Sequence, residues 1–190
     1  EGVTTTKGVR QHVGPVLKEL SHYRNRHAQY KTDEHLQAAH VMCPWVVTWD
    51  DHELANNCAG LISQDPDETV EMYARRRTNA YQAYYEHMPL RPWSMPVGPD
   101  MTLYRSLAFG DLMQVTVLDT RQYRDDQPSG DGVHPRTPGS LDPNTTMLGP
   151  DQERWLLDQL SSSTATWNVL AQQVLLAETY FPVDEGDAIA

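Results

Sequence analysis

Pro44-Trp45-Val46-Val47-Thr48-Trp49-Asp50-Asp51-His52-Glu53 runs from an apolar stretch directly into four consecutive ionisable side chains. The β-branched and aromatic composition of Trp45 to Trp49 predicts a buried strand. A strand that ends on Asp-Asp-His-Glu must leave those groups in water, pair them, or give them to a metal. Carboxylate oxygens are hard ligands for calcium, magnesium, manganese or ferric iron, and an adjacent imidazole can coordinate or protonate a leaving oxygen. Asn56 and Asn57, just beyond, add amide side chains able to close such a site. A solvated acidic turn after a core strand accounts for the same four residues, and four polar positions are a weak pattern alone.

The longer string from Pro44 to Asn57 shifts that balance, because it closely resembles the signature of the PhoD-type alkaline phosphatases, secreted metal-dependent phosphoesterases. Leu118-Asp119-Thr120-Arg121-Gln122-Tyr123-Arg124 resembles the family's second block. Leu148-Gly149-Pro150-Asp151-Gln152-Glu153-Arg154-Trp155-Leu156, followed by Trp167 to Gln173, resembles its third. Arg24-Asn25-Arg26-His27-Ala28-Gln29-Tyr30-Lys31 stands ahead of the first. The blocks occur in the family's order and span nearly the whole chain.

The resemblance implies a mixed α/β fold, part of a β-sandwich flanked by helices. Residues 1–190 would then be a single incomplete catalytic domain, the central portion of a larger enzyme that hydrolyses phosphate mono- or diesters and releases inorganic phosphate. Ca2+ and Fe3+ are the implied cofactors, and the implied location is secreted, periplasmic or extracellular, after export in the folded state. By the same resemblance Asp50 and Asn57 are metal ligands and Asp51 is a second candidate that also enters the catalytic set. His52 steadies the transition state or protonates the leaving group. The family's flanking ligand blocks do not occur here, so residues 1–190 alone are expected to show marginal hydrolysis at most. The competing reading is a non-catalytic cell-surface or binding domain that kept the fold, against which the intact Asp-Asp-His-Glu speaks.

Composition narrows the partners. Fifteen Lys and Arg against 26 Asp and Glu give a net charge of −11, which argues against a nucleic-acid or anionic-membrane binder. A phosphate substrate is still compatible with it, since bound cations can invert the local field. No apolar run is long enough to cross a bilayer. Cys43 and Cys58 lack metal-site spacing and read as core fillers, with a disulfide between them left open. No His-Glu-x-x-His, glycine-rich phosphate loop or Gly-x-Ser-x-Gly elbow occurs.

Along the chain, Pro15 is expected to open a helix carrying Val16, Leu17, Leu20 and Tyr23, and Asp33 to cap a second over 34–40. His22, His27, His35 and His40 read as surface or satisfied histidines. Asp65-Pro66-Asp67-Glu68 has the marks of a helix start, running to His87, with Arg75-Arg76-Arg77 as a solvated face. Gly110-Asp111 predicts a hairpin turn between strands ending at Phe109 and starting at Leu112. Arg121, at the exit of the second strand, has a planar fork that matches phosphate oxygens, although an Asp119–Arg121 pairing that fixes the loop explains it as well. Residues 124–150 read as a long loop, Gly149-Pro150 as the start of a helix, and Trp167 to Leu176 as a buried strand ending on Gln172 and Gln173, whose amides suit a hard cation or a bound water.

Overall fold

The computed structural model describes residues 11–130, 134–177, 180–183 and 186–189. The chain divides into two compact units, Glu1–Asn56 with Ser63–Leu103, and Asn57–Ile62 with Tyr104–Ala190.

The first unit is helical. Helix α1 spans Leu20–Lys31, so it starts five residues after Pro15, and Leu17 is buried ahead of it in an irregular lead-in. Helix α2, Glu34–Met42, begins where the sequence places it, because the Asp33 carboxylate accepts the Leu36 N–H at 2.8 Å. Helix α3, Val70–His87, starts later than expected. Asp65 does accept the Asp67 N–H at 3.1 Å, but that closes an isolated turn, and Thr69 is the cap, accepting from Met72 N–H at 3.3 Å.

Glu68 turns inward for a reason that also overturns the solvated arginine triplet. Its carboxylate accepts Arg76 Nη1 at 3.2 Å and Ser63 Oγ at 2.6 Å, and the Arg76 and Glu68 side chains are only 6% and 2% exposed. Arg76 Nε also donates at 3.1 Å to the Tyr23 hydroxyl, which donates at 2.8 Å to Leu54 O. Arg77 is buried as well, capping the Pro99 carbonyl and pairing with Asp100 at 3.3 Å. Only Arg75 of the three faces water.

The Trp45–Trp49 stretch forms no strand with any described segment. A strand needs a ladder partner, and its composition alone cannot supply one. Burial still alternates in part: Val47 and Trp49 are buried while Trp45 and Val46 are exposed. Trp49 stacks on Tyr81 of α3 with ring centroids 4.0 Å apart. Cys43 is exposed, contrary to the core-filler reading, Cys58 is buried, and both are free thiols.

The second unit carries the mixed α/β character expected of the chain. Strand β1, Arg105–Phe109, pairs antiparallel with β2, Met113–Val117, in the register Phe109↔Met113, which leaves Gly110, Asp111 and Leu112 as a three-residue turn. Gly110 sits at φ 60°, where a side chain would be strained. A two-residue strand β3, His134–Pro135, lies in the long loop. Helix α4, Pro150–Ser162, follows Gly149 at φ 73°, where a Cβ would meet the Tyr123 side chain at 3.0 Å. Strand β4, Trp167–Ala171, pairs parallel with β2. It is the edge of that sheet and Trp167 is 66% exposed, so the expected buried strand is shorter and more open than its composition suggests. Strands β5, Tyr180–Val183, and β6, Gly186–Ile189, form a second sheet in the order β3-β6-β5.

The burial of Arg76 and Glu68 sets a stability test. Removing one partner of a buried pair strands the other charge, so Glu68→Ala is expected to lower the unfolding free energy of the full-length protein by about 3–5 kcal/mol. Arg154→Ala, breaking an exposed pair with Asp151 at 3.1 Å, is expected to cost at most about 1 kcal/mol. Denaturant titration of both variants checks the contrast, and equal small effects would refute it.

Candidate active site

Trp49 anchors the acidic stretch, and backbone hydrogen bonds then fold it into a turn. Leu54 N–H and Ala55 N–H both donate to Asp51 O, at 2.9 and 2.8 Å, while Glu53 Oε2 accepts the Asp50 N–H at 2.8 Å. Glu53 is thereby used as a local cap. Asp50 is half-buried, and Asp51 is buried. His52 projects from the turn with its side chain 61% exposed; its Nε2 lies 3.7 Å from Asp51 Oδ2 and 3.0 Å from Asn56 Oδ1. A solvent-facing imidazole beside a sheltered carboxylate can exchange a proton with a bound ester.

Asn57 belongs to the second unit and adopts φ 52°, the one positive value at a non-glycine position among the described residues. Such backbone costs energy and concentrates at functional positions. Arg121, also in the second unit, is buried at 8% exposure. Its N–H donates to Asp119 Oδ1 at 3.0 Å and its carbonyl accepts from Gly60 N–H at 2.9 Å. Asp119 is the organiser of that loop: it also accepts the Gln122 N–H at 2.9 Å and Gln122 Nε2 at 2.6 Å. The side chain of Gln152 clamps the Asp119 backbone from both sides, accepting its N–H and donating to its carbonyl, each at 2.8 Å. Gln173 joins Thr120 Oγ1 at 2.9 Å to Leu118 O at 3.0 Å, a bracing role that occupies its amide.

Among the described residues, no three His, Cys, Asp or Glu side chains gather where they could hold a metal ion. Asp50 and Asp51 of the first unit, and Asn57 of the second, each carry oxygen donors of the kind a hard cation prefers.

The residues match the PhoD-like phosphatase family model over 1–189. The chain belongs to that family. It is 55% identical over 181 residues to alkaline phosphatase D of Bacillus subtilis (strain 168), covering 95% of this chain and 31% of that protein. It is also similar to a solved structure of PhoD, with a TM-score of 0.91 and 52% identity over 95% of this chain and 34% of that one. The chain thus spans about a third of the length of these relatives. The same family fold accounts for the mixed α/β architecture described above. No helix among the described residues is long and apolar enough to cross a membrane.

Arg26, His27, His12 and Tyr30 share a cavity with the acidic turn and have no site role in the motif reading. A cavity of about 300 Å³ in the first unit is lined by His52 and Glu53 together with Arg26, His27, His12 and Tyr30. The α1 face that forms it was visible only as the spacing of Tyr23, Arg26, His27 and Tyr30, at i, i+3, i+4 and i+7. His27 stacks on His87 with centroids 5.0 Å apart, and burial first, then His87 and Lys31, hold its pKa down to about 4.

That depression is a pH term. The folded-state pKa lies below the unfolded value of 6.5, so the contribution of His27 is complete above pH 6.5 and is lost as pH falls towards 4. The loss amounts to about 3 kcal/mol over this window. His27→Asn is expected to flatten the acid limb of a stability–pH curve between those values, and an unchanged slope would show that His27 titrates normally.

Proposed function

We propose that this chain forms part of the single catalytic domain of a metal-dependent phosphoesterase that hydrolyses phosphate mono- or diesters and releases inorganic phosphate outside the cytoplasm. Family membership supports the reaction class, and the observation that carries the site is the rigid Asp50–Glu53 turn, which pairs a sheltered Asp51 with an exposed His52 at 3.7 Å.

Asp50 and Asn57 would hold the metal, with Asp51 as an additional ligand or as the partner of His52, and calcium and ferric iron match their oxygen donors. When bound, such ions polarise phosphoryl oxygens and supply hydroxide at neutral pH. His52 would donate a proton to the departing ester oxygen, and the Asp51 carboxylate would stabilise the imidazolium and orient the ring. The Asn56 side chain fixes the other approach to Nε2. Arg121 is the phosphate-contact candidate in the second unit, although its burial and the Asp119 network favour its loop-bracing role.

The roles separate experimentally in the full-length protein. Asp50→Ala is expected to lower metal content and turnover together, whereas His52→Ala lowers turnover by about 10²–10⁴-fold with metal retained. Metal analysis of both purified variants decides; equal metal loss would make His52 a ligand. Calcium added after chelation is expected to raise the melting temperature, by about 2.7 kcal/mol of stability at a hundredfold excess over Kd. Asp50→Asn should blunt that gain, and an equal response in both proteins would place the ion elsewhere.

A further inference from the structure

Helix α1 divides its two arginines between opposite environments. Arg24 points outwards and forks onto the Glu86 carboxylate, at 2.6 and 2.5 Å. Arg26, two residues on, is 9% exposed, and its three guanidinium nitrogens are buried without a hydrogen-bond partner among the described residues. It lines the cavity that also reaches His52 and Glu53.

A guanidinium stays charged at any pH a protein meets, so it cannot shed the cost of burial by losing a proton as a lysine can. Five buried donors with no acceptor among the described residues are the chemistry an anion would satisfy. The rest of the lining does not fill that role. Glu53 is engaged by the Asp50 N–H and makes no hydrogen bond to Arg26. His12 shares a 2.8 Å hydrogen bond with the Tyr30 hydroxyl, and burial and the Arg26 charge hold it towards its neutral form. His27 is likewise neutral at pH 7. Arg26 is thus the lasting positive charge of this cavity, whose volume of about 300 Å³ sits at the small end of ligand pockets.

We propose that Arg26 is the anion-binding residue of this cavity and takes a phosphoryl group, as inorganic phosphate or as the phosphate of an ester, next to His52. A planar fork donates two parallel hydrogen bonds to paired phosphate oxygens, which a lysine ammonium cannot reproduce. The choice of phosphate among oxyanions rests on the phosphoesterase reading; the cavity and the unpartnered guanidinium do not.

The test uses the full-length protein and inorganic phosphate as the probe, with binding measured by calorimetry and aryl-phosphate turnover measured beside it. Arg26→Gln is expected to weaken phosphate binding and raise KM by at least about tenfold, the scale of a lost charge-assisted hydrogen bond, with Arg26→Lys recovering part of the loss. Without phosphate, Arg26→Gln should melt no lower than the wild type, since it removes a buried charge that lacks a partner. Unchanged phosphate affinity in Arg26→Gln overturns the proposal. So does a lowered melting temperature with phosphate affinity retained, the mark of a carboxylate elsewhere in the protein as the true partner. If Arg26→Gln fails to fold, Arg26→Lys decides, and affinity within about twofold of wild type refutes the assignment. Phosphate held through Arg26 by a protein that turns over no ester would support this inference while sinking the phosphoesterase reading. Turnover with wild-type phosphate affinity in Arg26→Gln would do the reverse.

Discussion

The buried Arg76–Glu68 pair is the interaction on which the first unit depends. Through the Tyr23 hydroxyl and Leu54 O it connects α1, α3 and the turn that carries Asp50 to Glu53. Each of these polar groups would be costly to bury alone, and each is satisfied by the next. A pair of this kind adds little net stability over an apolar substitute, but it tolerates few alternative arrangements, because any shift strands a charge. The acidic turn is therefore fixed twice, by aromatic stacking of Trp49 on Tyr81 and by the hydrogen bonds that end at Leu54.

The second unit solves the same problem with neutral amides. Gln152 from α4 satisfies both backbone groups of Asp119, and Gln173, just past β4, holds Leu118 and Thr120. The loop leaving β2 is thus tied to a helix and to the neighbouring strand through side-chain amides. The acidic side chain nearest the strand end, Asp119, is consumed by N–H groups of the residues that follow it.

Features decided by neighbours in sequence were legible; those decided by distant partners were not. Asp33 caps α2, Gly149-Pro150 opens α4, and Gly110 turns the hairpin as their chemistry dictates, because each acts within four residues. The start of α3 misled for an instructive reason: Asp65, Pro66 and Glu68 are real signals, but Arg76 draws Glu68 into the interior and the cap passes to Thr69. That pair buries Arg76, and contacts to Pro99 and Asp100 hold Arg77 inside, so two arginines of a triplet that polarity assigns to water are buried. Trp45 to Trp49 has strand composition and a strand-like burial of Val47 and Trp49, but pairing is a property of two segments. At the site, the Asp51–His52 contact joins neighbours and could be anticipated. The burial of Arg26 shows in the sequence only as its spacing from Tyr23 and Tyr30, since Arg-Asn-Arg-His alone does not say which arginine turns inwards.

That inward arginine bears on how a chain of net charge −11 could hold the phosphate proposed for it. The overall field repels anions, but at physiological ionic strength it is screened over about 8 Å, so it governs approach more than final binding. A cation inside a cavity is screened far less, and its attraction for an anion grows as water is displaced. One buried guanidinium can therefore outweigh many surface carboxylates at the distance where hydrogen bonds form. His12 and His27, both held towards their neutral forms, leave the Arg26 guanidinium as the one fixed positive charge of a lining that also carries the Glu53 carboxylate. On the proposed reading, acidity outside and one sheltered cation within together favour a small phosphate ester over nucleic acid, the same exclusion that the composition of the chain imposes from a distance.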